Sequence, residues 1–320
     1  MVIDINPASL NPTYRGRFAP SPTGRLHLGS LFTAVASYLR ARSCNGSWIV
    51  RMEDLDPPRA EVGAADAILK TLRAFGLEAD APICFQSQRH TRYRAALRLL
   101  ESAGLAFACA CSRTELAPSG RHHGVCQSSA DATACRRLWV PAAHWQFTDH
   151  HRGSYHQHSG TVGDFVLWRA DGLPAYQLAV VVDDAAQGIT EVVRGNDLLD
   201  STPRQIYLQQ RLALPTPHYL HLPVLIDQSG NKLSKSTAAL AVADDNALPT
   251  LKILLKWLGQ PDQNRATSVR QLLLAASAAF DPRRIPQATG IRIDGGAHYT
   301  IPTPPATTAA PHAVPNGEQA

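Results

Sequence analysis

Two short motifs, far apart along the chain, constrain its fold more than any other feature. The first spans residues 17–30 and ends in His27, Gly29 and Ser30; the second spans residues 232–236, with the sequence KLSKS. Apolar residues recur at helical spacing directly after the first motif, so it predicts a strand that passes into a helix. Glycine lets a ligand approach the backbone closely, and the free N–H groups of a helix start attract phosphate. Together with the lysines of the second motif, this pattern indicates a nucleotide site.

The succession of predicted elements indicates an α/β fold with a doubly wound parallel sheet, because strands that alternate with helices pair in parallel. Strands are expected at 14–19, 48–52, 164–169, 176–184 and 189–193, and helices at about 31–39, 62–75, 93–100 and 251–258. Ligands of such sheets bind beyond the carboxyl ends of the strands. His27, Glu53 and Arg194 each follow a strand and are therefore expected to converge. The polar, His-rich stretch from about 128 to 160 is expected to be a solvated loop region.

Composition narrows the class of protein without identifying it. The chain has 320 residues, a net charge of +5 and a pI of about 9.0, which allows one large or two ordinary domains and suits an RNA partner. No apolar run has the length of a transmembrane helix, and residues 1–12 lack the pattern of a secretory signal. We therefore expect a cytoplasmic protein without membrane contact, in which the six cysteines do not form disulfides.

Half of the cysteines cluster with histidines in one segment. The members of this cluster are Cys109, Cys111, His122, His123 and Cys126. Thiolates and imidazoles in such a pattern can surround a tetrahedral Zn²⁺. The first two cysteines do not have the common C-x₂-C spacing, so small buried cysteines with surface histidines are an equal alternative. Cys135, a little further on, is a further candidate ligand.

Several strings resemble the class I aminoacyl-tRNA synthetases of the glutamate type. They are RFAPS at 17–21, EDLDPPR at 53–59, the segment 176–184, VRGND at 193–197 and the two motifs described above. The resemblance covers residues 14–258 and implies a Rossmann-type catalytic core. It also implies that a carboxylate attacks the α-phosphorus of ATP, with Mg²⁺ present, and that pyrophosphate leaves.

For the active site, the resemblance implies two groups of residues. His27 and Lys235 would be catalytic, and ATP would be bound by His27, Gly29, Ser30, Lys232 and Lys235. Glutamate would be bound by Arg17, Phe18, Ala19, Pro20, Ser21, Glu53, Tyr176 and Arg194. The charges agree with this implication, because free glutamate carries two carboxylates for guanidinium groups and one ammonium for a carboxylate.

The cysteine cluster also has a counterpart in this resemblance. The glutamyl-Q tRNA(Asp) synthetases look similar here, with a C-x-C pair and a later Tyr-x-x-x-Cys that hold one structural zinc per chain. Transferred to this sequence, the metal ligands are Cys109, Cys111, His122 and Cys126. His122 stands where that family has tyrosine, and histidine is the better zinc ligand. His123 and Cys135 remain alternatives for the fourth position.

The region after the second motif separates this branch from ordinary glutamyl-tRNA synthetases. Fewer than 90 residues follow Lys235, whereas a large anticodon-binding region would be expected there. We expect a flexible leader at 1–13, then a catalytic core at 14–258 with an inserted zinc-bearing, acceptor-type subdomain at about 84–160. A short helical remainder at 259–300 and a disordered tail at 301–320 complete the expected organisation.

The resemblance to glutamyl-Q tRNA(Asp) synthetases implies a ligase that activates L-glutamate with ATP in the absence of tRNA. It would then transfer glutamate to the queuosine base at the wobble position of tRNA(Asp), and we expect a monomer. Two alternatives remain: a discriminating glutamyl-tRNA synthetase that charges the 3′ end of tRNA, and a catalytically silent tRNA-binding module. The short C-terminal region argues against the first, and the complete set of active-site residues argues against the second.

Overall fold

The fold is described from a computed structural model of the chain. It covers residues 2–4, 13–111, 115–116, 122, 126, 134–233, 242–293 and 299–300. Lys235, His123 and the predicted tail at 301–320 lie outside these residues. Within the predicted leader, residues 2–4 form a strand, and residues 1 and 5–12 are outside the described part as well.

Helices and strands alternate along most of the described chain. The helices are α1 (Leu28–Ser43), α2 (Ala64–Ala74), α3 (His90–Ser102), α4 (Tyr176–Ala186), α5 (Thr202–Arg211), α6 (Ala247–Trp257) and α7 (Val269–Ala279). The strands are β1 (Val2–Asp4), β2 (Arg15–Phe18), β3 (Ser47–Met52), β4 (Cys84–Phe85), β5 (Ala106–Cys109), β6 (Cys135–Leu138), β7 (His144–Asp149), β8 (Gly153–His158), β9 (Phe165–Trp168), β10 (Glu191–Gly195), β11 (His218–Leu222), β12 (Val224–Ile226), β13 (Gly290–Ile293) and β14 (Tyr299–Thr300). None of the helices in these ranges is long and apolar enough to cross a membrane.

A parallel sheet forms the base of the fold, as the sequence predicts. Strands β4, β3 and β2 are neighbours in one parallel sheet, and β10 pairs in parallel with β11. Strand β10 lies beside β2, where the backbone N–H of Thr190 donates to the carbonyl of Arg15 at 2.9 Å. Helix α1 packs on these strands with Leu31, Val35 and Leu39, which are fully buried. The doubly wound α/β core is therefore confirmed.

The segment from Tyr176 to Asp184 is a helix, so the strand predicted there is wrong. Consecutive valines favour a strand by intrinsic preference. Here, however, residues 178–181, 183 and 184 are all buried, and a helix that packs on nearly all sides is apolar on nearly all sides. Periodicity alone cannot distinguish such a run from a buried strand. The helix places Tyr176 at its first residue and Asp183 and Asp184 two turns later.

After helix α3, the described part of the predicted insertion contains antiparallel strands. Strand β6 pairs with β5 and β9, and β7 forms a hairpin with β8 and pairs in parallel with β1. Along β7 the side chains of Trp145, Phe147 and Asp149 point inward and are buried. The loop predicted for 128–160 is therefore wrong for β6, β7 and β8. His144 and His158 are exposed on the outer face of the hairpin.

The region after the second motif packs back on the core. Helices α6 and α7 contact each other and α1, and they bury Leu251, Leu254 and Leu272 completely. The remainder predicted as helical also contains strands, because β13 pairs in parallel with β12 and antiparallel with β14. Strand β12 leads directly into the second motif, so this region supports one wall of the site.

Candidate active site and metal centre

A cavity of about 430 Å³ lies where the parallel strands end. It brings together every residue predicted for ATP and glutamate except Lys235, which is outside the described part. The predicted residues that line it are Arg17, Phe18, Ala19, Pro20, Ser21, His27, Gly29, Ser30, Glu53, Tyr176, Arg194 and Lys232. They come from segments far apart in sequence and meet because parallel strands present their carboxyl ends at one edge.

One side of the cavity, where phosphate binding is predicted, is built at the start of α1. His27 caps this helix: its Nδ1 accepts from the backbone N–H of Ser30 at 3.3 Å, which leaves the proton of a neutral ring on Nε2. A Cβ atom at Gly29 would come within 3.1 Å of the His27 ring, so a larger residue would press on this ring and shift it. From the second motif, Nζ of Lys232 lies 2.6 Å from Oδ2 of Asp197. Both side chains are partly exposed, so the lysine can exchange this partner for phosphate.

Arg194 is the most firmly anchored cation of the cavity and is only 4% exposed. Its guanidinium donates to Nε2 of His221, Oε1 of Gln205, Oγ1 of Thr202, the carbonyl of Leu198 and the hydroxyl of Tyr176, at 2.7–3.4 Å. These acceptors are all uncharged, and no carboxylate pairs with Arg194 among the residues that the structure describes. All five N–H groups of Arg194 thus have protein acceptors, but its positive charge is not offset by a carboxylate within this part of the chain.

His221 contacts Arg194, and Asp149 contacts His221 in turn. The sequence analysis did not identify either residue. Nδ1 of His221 lies 2.6 Å from Oδ2 of Asp149, while its Nε2 accepts from Arg194. Burial lowers the pKa of His221 to about 4, so the ring is neutral near pH 7, with one donor and one acceptor nitrogen. The sequence gives only one weak indication of this pair, which is a histidine, His221, within an apolar strand. Its partner Asp149 lies 72 residues away.

Arg17 and Glu53 are part of a buried network of charges. Oδ1 of Asp184 lies 3.3 Å from Nε of Arg17 and 2.8 Å from Nη1 of Arg51. Arg51 also reaches Oε1 of Glu53, at 3.4 Å. Burial raises the pKa of Glu53, although Arg51 and Arg17 act in the opposite direction. A bound ammonium would favour the charged form of this acid, so Glu53 is suited to the amino group of a ligand.

Four predicted zinc ligands come together in the insertion. The ligand atoms of Cys109, Cys111, His122 and Cys126 all lie within 4.8 Å of one another, and Cys109 and His122 are buried. Three sulfurs and one imidazole form a donor set typical of structural zinc. The hydrogen bond between Cys111 and Cys126, together with burial, raises the pKa of the Cys111 thiol to about 12. A divalent cation would instead favour the thiolates, so the cluster fits a metal.

Cys135 and His123 are the alternative candidates for the fourth zinc ligand. Cys135 lies in β6, where its Sγ donates to the backbone carbonyl of Cys109 at 3.0 Å, and it is not a member of the four-residue cluster. His123 lies outside the described residues. Among the described residues, His122 rather than Cys135 joins the three cysteines.

The fold and the cavity define a class I tRNA synthetase. Consistent with this, residues 13–129 and 123–265 match the family of tRNA synthetases class I (E and Q), catalytic domain. The fold is also similar to the crystal structure of a glutamate tRNA ligase from Elizabethkingia meningosepticum in complex with its amino acid, with a TM-score of 0.73 and 24% identity. That likeness covers 88% of this chain and 67% of the other and concerns the fold alone.

Relatives of known name narrow the family. The chain is 50% identical over 285 residues to the glutamyl-Q tRNA(Asp) synthetase of Ectopseudomonas mendocina (strain ymp), which covers 87% of this chain and 97% of the relative. The chain is also 51% identical over 292 residues to the glutamyl-Q tRNA(Asp) synthetase of Xanthomonas campestris pv. campestris (strain 8004). This match covers 89% of this chain and 98% of the relative. The chain therefore belongs to the glutamyl-Q tRNA(Asp) synthetases and is a ligase.

Proposed function

We propose that this protein activates L-glutamate with ATP, without any need for tRNA, and transfers the glutamate to the queuosine base at the wobble position of tRNA(Asp). The observation that carries the activation step is the cavity that holds both Arg194, whose charge has no carboxylate partner among the described residues, and the helix start at His27. One end of this cavity suits a dicarboxylic amino acid and the other suits a nucleotide phosphate.

Glutamate recognition follows from the charges along the cavity. Arg194 and Arg17 offer guanidinium groups to the two carboxylates, and Glu53 offers a carboxylate to the ammonium. Tyr176, the first residue of α4, adds a hydroxyl and a ring wall. Aspartate would be one methylene too short for both arginines, and glutamine would leave a buried guanidinium without its anion, so both should be poor substrates.

Activation joins an oxygen of the substrate carboxylate to the α-phosphorus of ATP and breaks the bond to pyrophosphate. Negative charge grows on the leaving group, where Lys232 can supply a cation and His27 can donate from Nε2 once a phosphate oxygen replaces Oγ of Ser30, which lies 3.0 Å from Nε2. We assign the same role to Lys235, which the second motif supplies. Mg²⁺ would accompany ATP and neutralise part of the phosphate charge.

Transfer requires an acceptor hydroxyl to attack the activated carbonyl, so that an ester forms and AMP leaves. A second cavity, of about 290 Å³, shares Ser21, Thr23, Glu53 and Tyr176 with the first. Its remaining walls carry charges of both signs, from Asp54, Asp56, Arg59 and Arg169. A modified base that is turned out of its stack needs a pocket next to the reacting carboxyl, and this cavity supports such an approach.

The proposal also includes a structural zinc ion, a monomeric state and a cytoplasmic location. One structural zinc would be held by Cys109, Cys111, His122 and Cys126 in the insertion, away from the residues that line the cavity. The zinc would stabilise a fold element without acting on glutamate or ATP. We further propose that the enzyme acts as a monomer in the cytoplasm.

The experiment that tests the function offers the purified protein glutamate, ATP and tRNA from cells with or without queuosine. We expect glutamate-dependent exchange of pyrophosphate into ATP with no RNA present, and labelled glutamate on an anticodon fragment after nuclease mapping, only with queuosine-containing tRNA. Exchange that needs tRNA, or label on the 3′-terminal adenosine, would favour the discriminating glutamyl-tRNA synthetase. Absence of exchange under all conditions would leave only the tRNA-binding module.

A further inference from the structure

The imidazole of His122 has a buried carboxylate partner that the sequence motifs do not include. Nδ1 of His122 lies 3.0 Å from Oδ2 of Asp164, and the two side chains are only 5% and 4% exposed. Asp164 precedes β9 and lies 42 residues beyond His122. A histidine that binds zinc commonly donates its other ring N–H to a carboxylate.

The surroundings of Asp164 fix its carboxylate in place. Its Oδ1 accepts from the backbone N–H of Val140 at 2.7 Å, so both oxygens have partners. Its backbone N–H donates to the carbonyl of His122 at 3.0 Å, an isolated bridge that joins the two residues a second time. Its own carbonyl accepts from Nη1 of Arg137 at 2.9 Å, which brings a positive charge to this buried region. The carboxylate is therefore both anchored and oriented towards the imidazole.

We propose that Asp164 is the positioning residue that makes His122 a zinc ligand through Nε2. The carboxylate keeps the proton of the neutral ring on Nδ1, and the lone pair of Nε2 is then free for the metal. The same contact sets the rotation of the ring, while the backbone bridge ties the ligand to the sheet that contains β9. This inference rests on the zinc site proposed above, and it assigns to Asp164 the orientation of the His122 ring.

The test measures zinc affinity directly, by competition with a chromophoric chelator at one pH. We expect Asp164→Asn and Asp164→Ala to weaken zinc binding by about 10- to 100-fold. At saturation with Co²⁺, both variants should keep the absorption of a tetrahedral site with three thiolates. The matched control is Asp149→Asn, which alters the other buried Asp–His pair and lies outside the cysteine cluster, so its zinc affinity should equal that of the wild type.

A double-mutant cycle of zinc affinity separates the positioning of His122 by Asp164 from a general effect of Asp164 on folding. If Asp164 acts through the imidazole, Asp164→Ala should cost no further zinc affinity once His122→Ala is present. Additive losses in the double variant, or unchanged affinity in both single Asp164 variants, would overturn the inference. Wild-type protein that binds no zinc would overturn the metal site as well, and pyrophosphate exchange measured on the same sample would show whether glutamate activation stands independently.

Discussion

Replacing Asp184 by asparagine should lower both stability and affinity for glutamate, because this carboxylate joins two buried guanidinium groups. Its side chain is 5% exposed, and Oδ1 lies 2.8 Å from Arg51, which is completely buried, and 3.3 Å from Arg17. Breaking a buried pair by removing one charge costs about 3–5 kcal/mol. Asparagine keeps the shape and one oxygen, so we expect the lower end of this range, about 3 kcal/mol. Because the entropy of unfolding scales with chain length, a loss of this size in a chain of 320 residues lowers the melting temperature by roughly 4–6 °C.

The pH dependence of this loss gives a sharper test. Burial opposes ionisation of Asp184, but Arg51 and Arg17 outweigh it and hold its pKa below the ordinary value. The stability from this ionised group is therefore present above the pKa of the unfolded chain, about 3.9, and is lost as the pH falls through the lower pKa of the folded state. The difference in melting temperature between wild type and Asp184→Asn should shrink as the pH is lowered below about 4.

Thermal melts at several pH values and the KM for glutamate in pyrophosphate exchange measure these effects. The KM should rise because Arg17 loses its anchor at the cavity wall. The control is Asp171→Asn. Asp171 and its partner Arg169 are 47% and 40% exposed, so solvent screens this pair and stability should change by less than about 0.5 kcal/mol. A melting temperature within 2 °C of the wild type at pH 7, or a difference that persists undiminished in acid, would refute the account of the buried network.

Three further variants test the separate parts of the site. Lys235→Ala should lower the rate of activation by about 10²–10³ while the KM for glutamate changes little, and an unchanged rate would remove this lysine from the mechanism. Arg194→Lys should raise the KM for glutamate by about 10- to 100-fold, because an ammonium cannot replace the two parallel N–H groups of a guanidinium. An unchanged KM would mean that glutamate does not reach this residue. Cys111→Ser should abolish zinc binding measured by atomic absorption and weaken transfer to RNA more than pyrophosphate exchange; equal losses in both assays would contradict a purely structural metal.

The sequence predicts the site better than it predicts the elements that carry it. His27, Gly29, Arg17 and Arg194 are predicted from motifs shared with the glutamate-type synthetases, and the structure brings all four to one cavity. Helix α4 was mistaken for a strand because its buried surroundings, rather than its valines, decide its conformation.

The partners behind the site lie beyond the reach of local patterns. Asp149 is 72 residues from His221, and Asp164 is 42 residues from His122. Each pair is created only when distant segments of the chain are brought together. A buried histidine in an apolar strand is consistent with many structural roles, so neither pair has a recognisable spacing in the sequence.

The parallel pairing of β12 with β13 determines where the chain can be shortened. A recombinant version ending at residue 258 would retain every residue that lines the main cavity, yet β12 would lose β13 and keep only its short antiparallel contact with Lys232 and Leu233. The edge of β12 that faces β13 would then be a template on which other chains can add, so such a protein would tend to aggregate. Because Ile226 of β12 is bridged to Lys232, intermolecular pairing there would also hold the lysine-bearing loop in place. The smallest soluble form of this enzyme should therefore extend at least to residue 293.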